Sequence, residues 1–353
     1  MLKVATAVSH YPFYNIRYLK LLRELSKVFD VYVFAESKLK TTREEGKRFK
    51  LCYTLPFIIP RRVGYYVGPL ITQPLLNLIG SDVVWLFDTA IPLTPLMIRA
   101  PIILDIDDPK FTSLGKLTSV RERHLMRDRR VKRVVVPTNM IKKKLVRLYD
   151  ISEDKVEVIP NGVDLELFKP SKLPEEDVVL YYGTLAPSRS RFLVKAVEET
   201  LKLKKDIKFI IIGDVPVWLR RYFADRNIIG NITMPGYIEH DSLPQWVAKA
   251  KVCIFPQDVS LGRGSSLKLL EYMASGRPIV GTDVDESWPI RVSGAGIISP
   301  LDPAAFAEAV VKLLEDEELA KRLAERGVRY ARQYGWKDMV KRYVQLMEEV
   351  AYS

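Results

Sequence analysis

A strand-like run ending at Phe255-Pro256 leads into a loop carrying Gly262, Arg263, Gly264, Ser265 and Ser266, and a helical pattern follows with Leu267, Lys268 and Glu271 near its start. Glycines permit tight backbone turns, and Ser265 or Ser266 is placed to cap the helix. Free amides at a helix start, assisted by the helix dipole, form an anion hole. That geometry suits a diphosphate held by the Gly264, Ser265, Ser266 and Leu267 amides. Glu271 lies about one turn in, where a carboxylate accepts both hydroxyls of a ribose whose phosphates rest on the helix start. A serine-capped surface helix with an exposed glutamate is a common alternative, so the ligand reading needs support from the rest of the chain.

Other candidates are scattered. Asp105, Asp107 and Asp108 follow another strand-like run. They either serve a site at the strand end, with Asp107 and Asp108 as catalytic candidates, or cap a helix or turn; both readings are open. His10 and Tyr11 follow the first strand and are candidates for an acceptor or phosphate loop, although a lone loop histidine is more often structural. His124 sits in a basic stretch and His240 follows Tyr237-Ile238, with Tyr237 counted on the donor side. None of the three histidines has a partner at metal-ligand spacing.

The elements that must position these residues are legible as alternation. Leu2 to Ser9, Val31 to Ala35, Asp82 to Phe87, Ile102 to Asp105, Val134 to Pro137 and Val156 to Ile159 are short β-branched or aromatic runs. Amphipathic stretches such as Asn15 to Lys27 and Asn139 to Tyr149 supply the crossovers that parallel strands require. A polar, proline-bearing stretch from Lys169 to Asp177 reads as a linker, after which the alternation restarts at Val178 to Tyr182. It continues through Lys208 to Ile212, Ile232 to Met234, Val252 to Phe255, Ile279 to Gly281 and Gly296 to Ile298. The tail from Pro303 is nearly all helical, with a break at Tyr334-Gly335-Trp336. This predicts α/β architecture in two Rossmann-like, doubly wound domains: 1–168, joined by a returning helix over about 336–353, and 169–335. Ligands of such sheets bind at the carboxyl ends of the strands.

Two runs carry a specific resemblance. Leu269-Leu270-Glu271-Tyr272-Met273-Ala274-Ser275-Gly276-Arg277-Pro278-Ile279-Val280 resembles the donor-binding signature of glycosyltransferase family four, and Val158-Ile159-Pro160-Asn161-Gly162-Val163-Asp164-Leu165-Glu166-Leu167-Phe168 resembles its interdomain signature. Tyr181-Tyr182-Gly183 through Arg189 sits where that family has the first strand of its second domain and a basic diphosphate contact. The resemblance implies the GT-B fold, with two domains facing a cleft. It implies retaining transfer of a sugar from a nucleoside-diphosphate sugar to a carbohydrate, polysaccharide or lipid-linked acceptor. It assigns Glu271 to the ribose and Arg189 to the diphosphate, and implies that no metal or other cofactor takes part. The chain departs from the family in three places. Arg263, a third catalytic candidate, stands where a first glutamate is usual, Thr184 where an arginine follows the strand-end glycine, and Asp107 where a histidine is usual. Arg263 or Lys268 is positioned to replace the missing positive charge. The departures keep two rivals in view: a nucleotide-sugar 2-epimerase, and a catalytically silent sugar-nucleotide binder.

At 353 residues, with 48% hydrophobic and 28% charged side chains, the chain has the balance of a two-domain globular enzyme and not of a disordered one. Cys52 and Cys253 lie in apolar runs, as buried thiols of a reducing compartment do. The amino terminus has neither a charged leader nor a small-residue cleavage site, so a cytoplasmic location is expected. Six Asn and five Gln beside abundant Lys, Arg and Glu give a thermophile-like bias. The net charge of +12 is uneven: residues 1–165 hold 28 Lys and Arg against 17 Asp and Glu. Arg121 to Arg133 and Lys142 to Lys144 suit either a solvated basic face or the anionic inner face of a membrane, while no nucleic-acid-reading motif accompanies them.

Overall fold

The structure, a computed structural model, describes residues 1–8, 16–35, 50–53, 74–87, 97–107, 123–185, 187–258 and 266–353. The chain divides into two compact units, Met1–Asn161 with Trp336–Ser353, and Gly162–Gly335.

In the first unit, β1 (Lys3–Val8), α1 (Ile16–Leu25), β2 (Asp30–Ala35), β3 (Lys50–Tyr53), β4 (Val83–Phe87), β5 (Ile102–Asp105), β6 (Val131–Val136), α2 (Asn139–Tyr149) and β7 (Val156–Val158) follow one another. The described strands form one sheet ordered β3-β2-β1-β4-β5-β6-β7, with every pairing parallel. Val83 to Leu86 and Ile102 to Asp105 are buried throughout, the condition of central strands covered on both faces. β3 was not anticipated from the sequence. Thr138 accepts from the Ile141 amide to cap α2. At its other end the helix closes on Asp150 in the left-handed conformation, φ +53°.

In the second unit, β8 (Val178–Tyr182), α3 (Pro187–Leu203), β9 (Lys208–Ile212), α4 (Val217–Asp225), β10 (Ile232–Gly236), α5 (Leu243–Val247), β11 (Val252–Phe255), α6 (Leu267–Ala274), β12 (Ile279–Thr282), α7 (Trp288–Ser293), β13 (Gly296–Ser299), α8 (Pro303–Glu315) and α9 (Glu317–Ala331) repeat the pattern. Its parallel sheet runs β10-β9-β8-β11-β12-β13. One layer of core gathers Val179, Ile211, Ile254 and Val280 against Phe192, Phe306 and Val310 of α3 and α8. The opposite layer gathers Leu180, Cys253 and Phe255 with Leu269, Tyr272 and Met273 of α6. Val163 and Phe168 sink into that second layer. The chain therefore enters this unit at Gly162, seven residues before the polar stretch read as the linker. Val163 and Gly335 form a parallel bridge, and the Val163 amide donates to the Tyr334 carbonyl at 2.8 Å, so entry and exit lie side by side.

The closing helix α10 (Trp336–Tyr352) packs on α1 in the first unit. It buries Met339, Val340, Tyr343, Leu346, Met347 and Val350, a stripe of helical period. A buried polar knot fixes it. The fully buried Arg17 of α1 donates to Asn161 Oδ1 and the Tyr343 hydroxyl, each at 2.5 Å, and to the Ile159 carbonyl at 3.2 Å. Its guanidinium is 3.4 Å from Asp105 Oδ1, and the Tyr343 hydroxyl donates to Asp105 Oδ2 at 2.5 Å. Burial pushes the Asp105 carboxyl up from its usual range, against the pull of Arg17 and Tyr343.

Candidate active site

In the second unit the strand order reverses between β8 and β11. The chain leaves the two strands in opposite directions, and their carboxyl ends bound the crevice where ligands of such sheets sit. Gly183 follows β8 with φ +144° and Gly213 follows β9 with φ +153°. A Cβ on Gly213 would meet the Gly183 carbonyl, and one on Gly183 would meet the Lys268 ammonium. Both glycines thus let neighbouring strand ends and a cation pack at closer range than a side chain allows.

Lys268 stands in the first turn of α6. Its ammonium lies 4.7 Å from the Tyr181 ring centre and 5.8 Å from those of Tyr182 and Phe255. It is held over aromatic faces at the ends of β8 and β11, so a cation is available where a diphosphate would arrive. Ser266 occupies the N-cap position, but its hydroxyl makes no capping bond, so the capping role expected of it is not observed. Ahead of that helix, Thr282 clasps the Gln257 backbone: its Oγ1 accepts from the amide at 3.0 Å and donates to the carbonyl at 2.5 Å.

Glu271 is on α6 and only 3% exposed, not the exposed surface glutamate that the helix pattern also allowed. Tyr182, the last residue of β8, donates its hydroxyl to Glu271 Oε2. His240, in the turn after β10, places Nε2 2.6 Å from Oε1. Burial and the Glu271 charge raise the Tyr182 phenol far above its ordinary range, so it stays protonated and serves as a donor. The Tyr182 amide in turn donates to the Tyr272 hydroxyl at 3.1 Å, and the two rings meet edge to face at 5.0 Å. A carboxylate has about four lone-pair sites, so two held oxygens retain capacity for two further donors.

Of the other sequence candidates, Tyr237 is three residues before His240 and 63% exposed. Arg189 falls in the first turn of α3, its side chain outside the described ones. His10, Tyr11, Asp108, Arg263, Gly264 and Ser265 lie outside the described residues. In the first unit Asp107 is half-buried just beyond β5, with Asn161 Nδ2 3.4 Å from its Oδ1. Asp105 is the fully buried partner of Arg17 and Tyr343. Among the described residues no group of three His, Cys, Asp or Glu is arranged to hold a metal ion, and no helix is long and apolar enough to cross a membrane. Tyr182 and His240 are the members of the site that sequence reading missed.

Residues 16–167 match the family model described as Glycosyltransferase Family 4, and residues 176–316 match that described as Glycosyl transferases group 1. The chain is 27% identical over 165 residues to the alpha-D-kanosaminyltransferase of Streptomyces kanamyceticus, covering 45% of this chain and 42% of that one. It is 28% identical over 232 residues to the D-inositol 3-phosphate glycosyltransferase of Acidothermus cellulolyticus, covering 59% and 51%. The matched stretches thus span about half the length of these curated relatives. Among solved structures, sucrose-phosphate synthase from Thermosynechococcus elongatus superposes with a TM-score of 0.80 at 16% identity over the whole of both chains. Anabaena HepE in complex with UDP-glucose gives 0.80 at 13% identity over 99% of this chain and 100% of the other. At such identities the likeness is one of fold.

Proposed function

This chain belongs to the group 1, family-four glycosyltransferases, and from that premise we propose that it moves a sugar from a nucleoside-diphosphate sugar to a carbohydrate or lipid-linked acceptor, with retention at the anomeric carbon. The observation that carries the reading is the buried Glu271, held on both oxygens one turn beyond a helix start whose first turn brings the Lys268 ammonium to the ends of β8 and β11. Glu271 receives the ribose hydroxyls. Lys268, the amides of Ser266 and Leu267, and Arg189 take the diphosphate and stabilise the charge that grows on it as the glycosyl bond breaks. Asp107 is the residue of the first unit assigned to a sugar or acceptor hydroxyl. A nucleoside diphosphate bound to the Anabaena HepE structures supports this class of donor. The matched relatives carry transferase names, which favours transfer over epimerisation.

The excess positive charge of residues 1–165 supports placing the protein in the cytoplasm at the anionic inner face of a membrane, where a lipid-linked acceptor would be met. Arg127 pairs with Asp150 at 2.6 Å, Arg130 with Asp128 at 2.5 Å, and Arg133 with Glu349. Arg123, Arg129, Lys132, Lys143 and Arg147 are exposed and make no ion pair among the described residues, so they are among the basic groups available to lipid.

Calorimetric titration of nucleoside diphosphates tests the site. Glu271→Ala should fold as wild type and lose about 1.5–3 kcal/mol of binding, the worth of a hydrogen bond to a charged group. Unchanged affinity in the folded variant would remove Glu271 from the site.

A further inference from the structure

His240 joins the two stretches that carry the family resemblance. Its Nε2 is 2.6 Å from Oε1 of Glu271, in the donor-binding run. Its ring leans on Phe168, the last residue of the Val158-to-Phe168 run, with centroids 5.4 Å apart and planes at 58°. Phe168 is fully buried, so the imidazole has a fixed wall behind it. Asp241 also faces the ring, its Oδ1 3.7 Å from Nδ1, and Tyr182 faces it across the Glu271 carboxylate.

The terminal torsion of a glutamate is broad and roughly two-fold, so a carboxylate held at one oxygen still turns. Here Tyr182 holds Oε2 and His240 holds Oε1, which fixes the carboxylate plane. As a carboxylate Glu271 only accepts, so the ring presents Nε2–H to it. Two vicinal hydroxyls need two acceptor oxygens at a set spacing and orientation, and fixing that orientation beforehand removes an ordering cost from binding.

Resting on the assignment of Glu271 to the ribose, we propose that His240 is a positioning residue for ribose recognition. It holds the carboxylate plane that receives the 2′- and 3′-hydroxyls, and Phe168 holds His240. The ligand class that depends on it is the ribonucleotide with both vicinal hydroxyls intact.

The test is titration of UDP, GDP and ADP onto the full chain, followed by the tightest of the three against its 2′,3′-dideoxy analogue. Wild type should prefer the ribonucleotide by about tenfold or more, the scale of a charged hydrogen bond. His240→Ala should lose most of that preference while keeping wild-type affinity for the dideoxy analogue. His240→Gln, whose Nε2 donates from a similar reach, should restore it, and Phe168→Leu should weaken it. If His240→Ala does not fold, His240→Asn, too short to reach Oε1, replaces it with the same expectation. A variant that keeps the wild-type preference, or that weakens both ligands equally, overturns the positioning role and leaves Glu271 in place. A wild type that treats the two ligands alike, or binds none of the three diphosphates, removes the ribose assignment and this proposal with it.

Discussion

On the proposed reading Lys268 takes phosphate and Glu271 takes ribose, and substitutions should separate their shares. Lys268→Ala and Arg189→Ala should each weaken a nucleoside diphosphate far more than the matching nucleoside, because the partner of each is phosphate. Equal losses for both ligands in a titration would contradict that division. The place of Glu271 one turn into a helix was legible in the sequence because that offset is set by helix geometry alone. Tyr182 and His240 were not. Their partnership with Glu271 depends on the ends of β8 and β10 being carried to α6 by the sheet, and no spacing along the chain encodes such a meeting. The contacts of Asp105 were not legible for a related reason: Arg17 and Tyr343, which close on it, are distant in the chain.

That knot acts at the level of whole elements, since it ties α1, β5 and the Ile159–Asn161 turn to α10 through atoms that are fully buried. Arg17→Met leaves Asp105 as an uncompensated buried charge and should cost about 3–5 kcal/mol, read as a fall in melting temperature and faster amide exchange in α10. Exchange in α10 unchanged from wild type would show that the helix is held by its apolar stripe alone. Tyr343→Phe removes the hydroxyl donor that Asp105 needs when ionised. Burial raises the folded pKa of Asp105, so the stability it contributes is complete below the ordinary carboxylate range and is lost as pH rises through the raised value. The Tyr343→Phe penalty should therefore grow from pH 4 to pH 7, and thermal melts showing an equal penalty at both would contradict it. Most strands were legible as runs of Val, Ile and Leu buried on both faces. β3 was not, because four residues opening on Lys50 carry too little period to separate from a loop. The unit boundary shifted because Val163 and Phe168, ahead of the polar stretch from Lys169, are core of the second unit.

For the molecule as a whole, the doubling of one parallel architecture and the family were legible, because both rest on patterns repeated along the chain. Its donor and acceptor were not, because residue types in loops follow no period from which a ligand could be read. The charge asymmetry yields a physical expectation: wild type should sediment with anionic vesicles at low salt and release them as salt rises. Arg129→Gln, Lys143→Gln and Arg147→Gln together should weaken that binding without unfolding the chain. Equal sedimentation with neutral vesicles would contradict an electrostatic contact. The most direct test of the central claim is turnover. A panel of nucleoside-diphosphate sugars is incubated with pooled sugar and lipid-linked acceptors, and release of nucleoside diphosphate is followed by chromatography with and without a metal chelator. The account predicts release from at least one donor that depends on acceptor, persists with chelator, and falls about tenfold or more in Glu271→Ala. Folded wild-type protein that releases no diphosphate from any donor, or releases it undiminished in Glu271→Ala, would contradict it.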